Sequence, residues 1–158
     1  MNRPLDSIDR AIIATLQGNA RIPIAELAAR VNVSESTAHR RLRSLVDDHV
    51  ITKFTAEVDI AALGLQTEAL IHIRLHASAR NALRSFQTFL QELPESRHVY
   101  FVSGGSDFVV HVAVADSATL RDFVSDSISA RPEVASTNTS LVFEHRPGSG
   151  IEWKAGES

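Results

Sequence analysis

Residues 27–45 of the chain read LAARVNVSESTAHRRLRSL, and this stretch decides the fold of the N-terminal part. Its apolar side chains recur at intervals of three and four residues, which predicts two helices with a short turn between them. Ser34 is a suitable N-cap for the later helix. Asn32 suits the turn, because its short polar side chain tolerates a positive φ. Two helices joined by such a turn form a helix-turn-helix.

The flanking residues extend this motif on both sides. Ile8, Ile12 and Leu16 recur every four residues, which predicts a first helix that Asp6 caps and Gly18-Asn19 ends. The second helix is predicted to open near Pro23. Residues 50–58 are rich in β-branched side chains and partly alternate, so a strand is expected there. A strand in this place would make the motif a winged helix-turn-helix.

The third helix has an apolar side and a basic side. With Ala38 as the reference direction, Leu42 and Leu45 lie within about 40° of it, at 100° per residue. Ser36, Arg40 and Arg43 point to the opposite side. Guanidinium groups and hydroxyls suit base edges and phosphates, although the same pattern also fits an ordinary solvated helix face. The predicted DNA-binding residues are Ser34, Ser36, Thr37, His39, Arg40, Arg41, Arg43 and Lys53.

Arg41 differs from the other basic residues because it flanks the apolar stripe. The sequence leaves two roles open for it, fixing the helix or touching a phosphate.

The charge of the chain is unevenly divided. Residues 1–53 hold eight Lys and Arg against six Asp and Glu, a net charge of +2, and the remainder holds eight against thirteen, a net of −5. These two values add up to the total of −3. The excess of base in the first part favours an anionic partner for it, such as DNA.

Composition excludes several classes of protein. The chain has no cysteine, which rules out disulfides, thiolate metal sites, iron–sulfur clusters and cysteine nucleophiles. No apolar run approaches the roughly 18 residues of a membrane span, and the N-terminus lacks the apolar core of a signal peptide. A cytoplasmic protein without a membrane partner is therefore expected.

The second half alternates in the manner of an antiparallel sheet with two helices. The predicted order is βαββαβ, the split βαβ of ferredoxin-like folds. The fold class is thus α+β, with an N-terminal winged helix-turn-helix joined to a C-terminal ferredoxin-like domain. The expected domains are a DNA-binding domain at 1–56, a connector at 57–67, an effector-binding and oligomerisation domain at 68–144, and a flexible tail at 145–158.

Several segments together resemble the Lrp/AsnC (feast/famine) family of transcriptional regulators. They are Leu5–Ile13, Asn19–Ile22, Leu27–Ser34, Arg40–Leu45, the connector with Asp59 and Gly64, and Val102–Phe108. Asn32 and His49 replace glycines common in the family, and both are expected to adopt the left-handed conformation that glycine favours. Ser103 replaces a frequent threonine. The resemblance implies a sequence-specific DNA-binding regulator, a homodimer that assembles to a tetramer or octamer. It also implies that a small effector, an amino acid, alters its oligomeric state or DNA affinity.

The loop between the two middle strands is the candidate effector site. Adjacent glycines let a ligand approach the backbone, whose N–H groups can receive a carboxylate, and Asp107 can receive an ammonium group. An ordinary hairpin turn explains the same residues equally well. The predicted effector-binding residues are Ser103, Gly104, Gly105, Ser106, Asp107, Thr137 and Thr139, the last two reaching a neighbouring chain's ligand.

Other functions are open at this stage. The seven histidines show no ligand spacing, so neither a metal nor a cofactor is expected, and no catalytic motif is found. The alternatives are an Lrp-like decarboxylase of tetrapyrrole metabolism and a ligand-sensing adaptor without specific DNA binding. Apolar residues on both faces of the predicted sheet favour dimerisation.

Overall fold

A computed structural model describes residues 4–146 and 148. The chain divides into two compact units, one reaching to Glu57 and the other running from Val58 to His145. Within the described residues, no helix combines the length and apolar character needed to span a bilayer. The predicted flexible tail lies mostly outside the described residues.

The N-terminal unit consists of three helices. They are α1 (Ser7–Gly18), α2 (Ile24–Arg30) and α3 (Glu35–Asp47). Asp6 caps α1 in a capping box with Asp9, and Ser34 caps α3 by accepting the backbone N–H of Thr37. Buried side chains from all three helices form one core around Ile12, Leu27 and Leu45. The predicted helix-turn-helix is confirmed.

Two residues of this unit have a left-handed backbone. Asn32, in the turn before α3, has φ 55°, and His49, just after α3, has φ 57°. These are the two positions at which the sequence lacks a glycine that such a conformation favours. The expectation that both side chains accept this conformation is therefore confirmed.

The strand predicted over residues 50–58 is wrong for the described chain, in which this segment has no strand pairing. The backbone N–H groups of Val50 and Ile51 both donate to the carbonyl of Leu45, so the segment begins by closing the end of α3. β-branched residues favour a strand only where a neighbouring strand is available to them.

The C-terminal unit has the predicted βαββαβ order. Its elements are β1 (Thr67–Leu75), α4 (Leu83–Glu92), β2 (Ser96–Phe101), β3 (Phe108–Val114), α5 (Ser117–Asp122) and β4 (Val134–Val142). A turn of 3-10 helix, Ala77–Ala82, precedes α4, and π-helical turns, Phe123–Ser129, continue α5. The strands are antiparallel in the order β2-β3-β1-β4, which is the ferredoxin-like arrangement.

The two faces of this sheet have different surroundings. Ile71, Ile73, Phe108 and Val110 lie on one face and pack with Phe86 of α4 in a fully buried core. We call the opposite side the open face, because α4 and α5, the helices of this unit, pack on the other side of the sheet. It carries Leu70 and His72 from β1, His98 and Tyr100 from β2, and Val109 and His111 from β3.

Candidate nucleic-acid interface and ligand pocket

The exposed side of α3 carries a row of polar and basic side chains. Ser36, His39, Arg40 and Arg43 are all exposed, and their spacing of three and four residues places them on one helix face. We call these four residues the reading face. Arg43 makes an open ion pair with Asp47, with Nε 3.7 Å from Oδ2 and both side chains mostly in solvent. Such a pair is weak, so the guanidinium remains available to a phosphate or a base.

Arg41 points the other way, toward α1. Its Nη1 lies 2.6 Å from Oδ2 of Asp6 and 3.1 Å from Oδ1 of Asp9. The Asp9 side chain is completely buried, and that of Arg41 is 19% exposed. The structure therefore gives Arg41 the role of fixing the helix, and a contact of Arg41 with a phosphate of DNA stays a prediction.

This cluster also affects the ionisation of its members. The pKa of Asp6 falls to about 2, first because its carboxylate accepts the backbone N–H of Asp9 and then because it faces Arg41. The hydrogen bonds that Arg41 donates, to Asp6 first and then to Asp9, raise the pKa of Arg41. Asp6 and Arg41 are thus charged at neutral pH, and the contacts of Arg41 tie the start of α1 to the middle of α3.

The two hydroxyls at the start of α3 interact with each other. Ser34 Oγ lies 2.9 Å from Thr37 Oγ1, and it also accepts the backbone N–H of Thr37. Ser34 therefore acts first as the N-cap of α3, although it stays exposed, and the Thr37 hydroxyl accepts a hydrogen bond from it. Lys53 is exposed in the segment that follows α3.

The loop between β2 and β3 lines a pocket of about 240 Å³. Gly104, Gly105, Ser106 and Asp107 contribute one side of it. Gly104 has φ 117°, a conformation that side-chain-bearing residues rarely adopt. The other side comes from Arg74, Leu75, His76, Ala77 and Ala135.

Asp107 has a structural contact as well as a place in the pocket. Its Oδ2 accepts the backbone N–H of Leu75 at 2.8 Å, which holds the loop against the end of β1. The loop thus contributes a carboxylate and glycine N–H groups. Arg74 and His76, at the end of β1, line the opposite side of the cavity. Groups of both charges line one cavity, which suits a small zwitterion.

Three predicted effector residues do not line this pocket. Ser103 is exposed beside it, and Thr137 and Thr139 lie further along β4. The Thr137 hydroxyl is 3.1 Å from that of Ser129 in the same chain. A contact of Thr137 or Thr139 with a neighbouring chain's ligand stays a prediction.

Arg74 and His76 were missed in the sequence because they look like ordinary alternating residues of β1. The pairing of Ile73 with Phe108 brings them beside the loop, although they lie about thirty residues away in sequence. Among the residues that the structure describes, no cluster of histidines and carboxylates has the arrangement of a metal site.

Known families match both units. Residues 5–52 match a model described as winged helix-turn-helix DNA-binding, and residues 68–147 match the Lrp/AsnC ligand binding domain. The HTH-type transcriptional regulator AldR of Mycolicibacterium smegmatis is 44% identical to this chain, over 92% of this chain and 85% of its own length.

Solved structures agree with these matches. The crystal structure of MtbAldR superposes with a TM-score of 0.79 at 39% identity, covering 92% of this chain and 98% of that one. A transcriptional regulator from Neisseria meningitidis, crystallised as a complex with L-Met, superposes with a TM-score of 0.85 at 26% identity, covering 92% of this chain and 94% of that one. The reading face and the pocket therefore lie in a chain that belongs to the Lrp/AsnC family of DNA-binding transcriptional regulators with a ligand-binding domain.

Proposed function

We propose that this regulator binds specific duplex sites through the reading face and that an amino acid in the loop pocket controls its affinity for them. The observation that carries the DNA-binding part is the division of α3. Its inner side is fixed by packing and by the Arg41 cluster, so its outer side presents Ser36, His39, Arg40 and Arg43 on a rigid support. A helix after a tight turn, with such a face, fits the major groove.

The charge pattern of the pocket supports an amino acid as the effector. The carboxylate of Asp107 complements an α-ammonium group, while the N–H groups of the glycine loop and Arg74 complement an α-carboxylate. The Neisseria relative was crystallised with L-Met, which is a compound of this class. Each effector would act by binding one arrangement of the protein better than another.

Self-association belongs to the same proposal. The open face carries Leu70, Val109 and Tyr100, and Tyr100 is 50% exposed. A second copy of the chain would cover these side chains, and a dimer would present two reading faces to two half-sites. Further assembly of dimers to tetramers or octamers follows the family pattern that the sequence suggests.

A selection from random duplex sequences, followed by fluorescence-anisotropy titrations, tests DNA binding. We expect a selected duplex to bind at least about a thousandfold more tightly than an unselected one, with affinity falling steeply between about 50 and 200 mM salt. Equal, salt-insensitive binding to both would favour the adaptor alternative and contradict the proposal.

Thermal-shift screening of the twenty amino acids, with and without the selected duplex, tests the effector. Asp107→Asn is the most informative variant, because it removes the charge but keeps an oxygen that can accept a hydrogen bond from the Leu75 N–H. We expect it to lose the response to the active amino acid while retaining DNA binding. Glu92→Gln, an exposed carboxylate on α4, is the matched control and should respond normally. An undiminished response in Asp107→Asn would remove Asp107 from the site.

A further inference from the structure

The open face contains a histidine pair that neither DNA binding nor the loop pocket uses. His98 of β2 and His111 of β3 lie directly opposite each other in the strand register. Their Nδ1 atoms are 3.4 Å apart, and their ring planes are within 8° of parallel. The ring centroids are 5.7 Å apart, so the rings meet at their Nδ1 edges rather than face to face.

Two facing imidazole nitrogens can share only one proton. A neutral imidazole has one N–H and one lone pair, whereas a protonated imidazole has N–H groups on both nitrogens. The contact is therefore attractive when one Nδ1 donates to the other. When both rings are protonated, two N–H groups point at each other and the contact becomes repulsive.

The charged groups around the pair set which ring donates. Oε2 of Glu68, on β1, lies 2.7 Å from Nε2 of His111, although off the direction of the ring N–H. This carboxylate favours a proton on Nε2 of His111, which leaves its Nδ1 to accept from His98. Arg97 on β2 opposes a positive charge on His111. The ring centroid of His145, which follows β4, lies 5.9 Å from that of His111.

The two rings differ in their access to water. His111 is 7% exposed, whereas His98 is exposed at the edge strand and has Tyr100 beside it at 6.2 Å between ring centroids. Solvent protons therefore reach the pair through His98. A partner that covers the open face would remove this water and leave any additional charge on the pair poorly solvated.

We propose that the His98–His111 pair makes self-association through the open face depend on pH. When both rings are protonated, they separate and the assembly becomes weaker. This inference rests on the proposed function, because it takes a second copy of the chain as the occupant of the open face. The proton comes from solvent and no other bond changes.

The direction of the effect follows from burial. Burial lowers the pKa of His111 even though Glu68 opposes it, and covering the open face extends that burial. A base with a lowered pKa contributes to association above its ordinary value near 6.5 and loses that contribution as the pH falls. Assembly should therefore be complete at about pH 7.5 and weaker at about pH 5.5.

Sedimentation equilibrium of the full chain at these two pH values measures the effect. We expect the wild-type dissociation constant to rise at least about tenfold on acidification, because each of two protomers takes up a proton. His98→Gln removes the facing ring and its charge, so that only the burial of His111 remains, and its dissociation constant should rise less than that of the wild type over the same range. His72→Gln removes another histidine of the open face, one with no ring contact to the pair in the described structure, and should behave like the wild type.

An NMR titration of the histidine ring protons tests the pair without relying on assembly. We expect the two rings to titrate in two separated steps in the wild type, and His111 to titrate in a single step in His98→Gln. Independent titration of the two rings would overturn the proposal, as would a dimer whose dissociation constant ignores pH. The second result would leave the proposed regulator intact, whereas a monomer at every pH would contradict both the proposal and the assembly part of the function.

Discussion

Arg40 and Arg41 are neighbours on α3, but they lie on opposite sides of the helix and in different surroundings. Arg40 is exposed on the reading face. Arg41 is mostly buried and contacts two carboxylates of α1, one of which is completely buried. The comparison teaches that the basic character of α3 has two sources: one side of the helix offers charge to a ligand, while the other side uses charge to fix the helix.

The largest expected effect comes from removing the inner arginine. Arg41→Ala removes the Arg41 guanidinium from the buried Asp9 carboxylate, and we expect the free energy of unfolding to fall by about 2–4 kcal/mol. Urea denaturation monitored by circular dichroism measures the loss. Arg43→Ala is the matched control, since its ion pair with Asp47 is exposed, and it should stay within about 0.5 kcal/mol of the wild type. Equal stability of the two variants would break the distinction between the two sides of α3.

Removing an outer arginine should affect binding instead. Arg40→Ala or Arg43→Ala should weaken binding of a selected duplex by about 1–3 kcal/mol if the side chain reads a base, with the thermal midpoint unchanged. Anisotropy titration measures this loss. Arg84→Ala removes an exposed arginine from α4 and should bind as tightly as the wild type. A loss in Arg84→Ala as large as in Arg40→Ala would mean that overall charge, rather than the reading face, governs binding.

Lowering the pH tests the role of charge on the inner side of α3. Because the pKa of Asp6 is about 2 in the folded chain and 3.8 ordinarily, its contribution to stability is complete above pH 3.8 and is lost as the pH falls toward 2. Asp6→Asn can still cap α1 but has no charge to lose. We expect its urea midpoint to depend less on pH than that of the wild type over this window. Parallel curves for the two proteins would contradict the assigned role of the carboxylate.

The smallest effect is expected where α3 ends. His49 holds a left-handed conformation that glycine adopts without steric cost, so His49→Gly should stabilise the chain by about 0.5 kcal/mol. Thermal unfolding measures the change, and His39→Gly, in the interior of α3, should instead destabilise by about 0.3–0.5 kcal/mol. A loss of stability in His49→Gly would show that the His49 side chain has a compensating contact.

Local patterns were sufficient to predict most of the fold. The helices, the four strands of the C-terminal unit and the left-handed Asn32 follow from periodicity, capping residues and turn chemistry within a few neighbouring residues, whereas the left-handed His49 follows from the resemblance to the family. The strand over residues 50–58 was wrong because a strand also needs a partner, and the described chain offers none. Residue pattern alone could not show that absence.

The candidate sites were less predictable where they depend on distant contacts. The exposed row on α3 was visible in the sequence, but the role of Arg41 was not, because its partners lie 32 and 35 residues earlier. Arg74 and His76 join the loop pocket only through strand pairing. The same holds for His98 and His111, whose nitrogens face each other because β2 and β3 pair in one particular register.

Directed cleavage of DNA tests the central claim that the outer side of α3 enters a duplex. The chain has no cysteine, so Ser36→Cys provides a single attachment point for an iron–EDTA reagent on the reading face. Ser85→Cys on α4 provides the control. We predict that the reagent at position 36 cleaves a selected duplex within its binding site, and that the reagent at position 85 does not. Cleavage that is absent at position 36, or equal from both positions, would contradict the account.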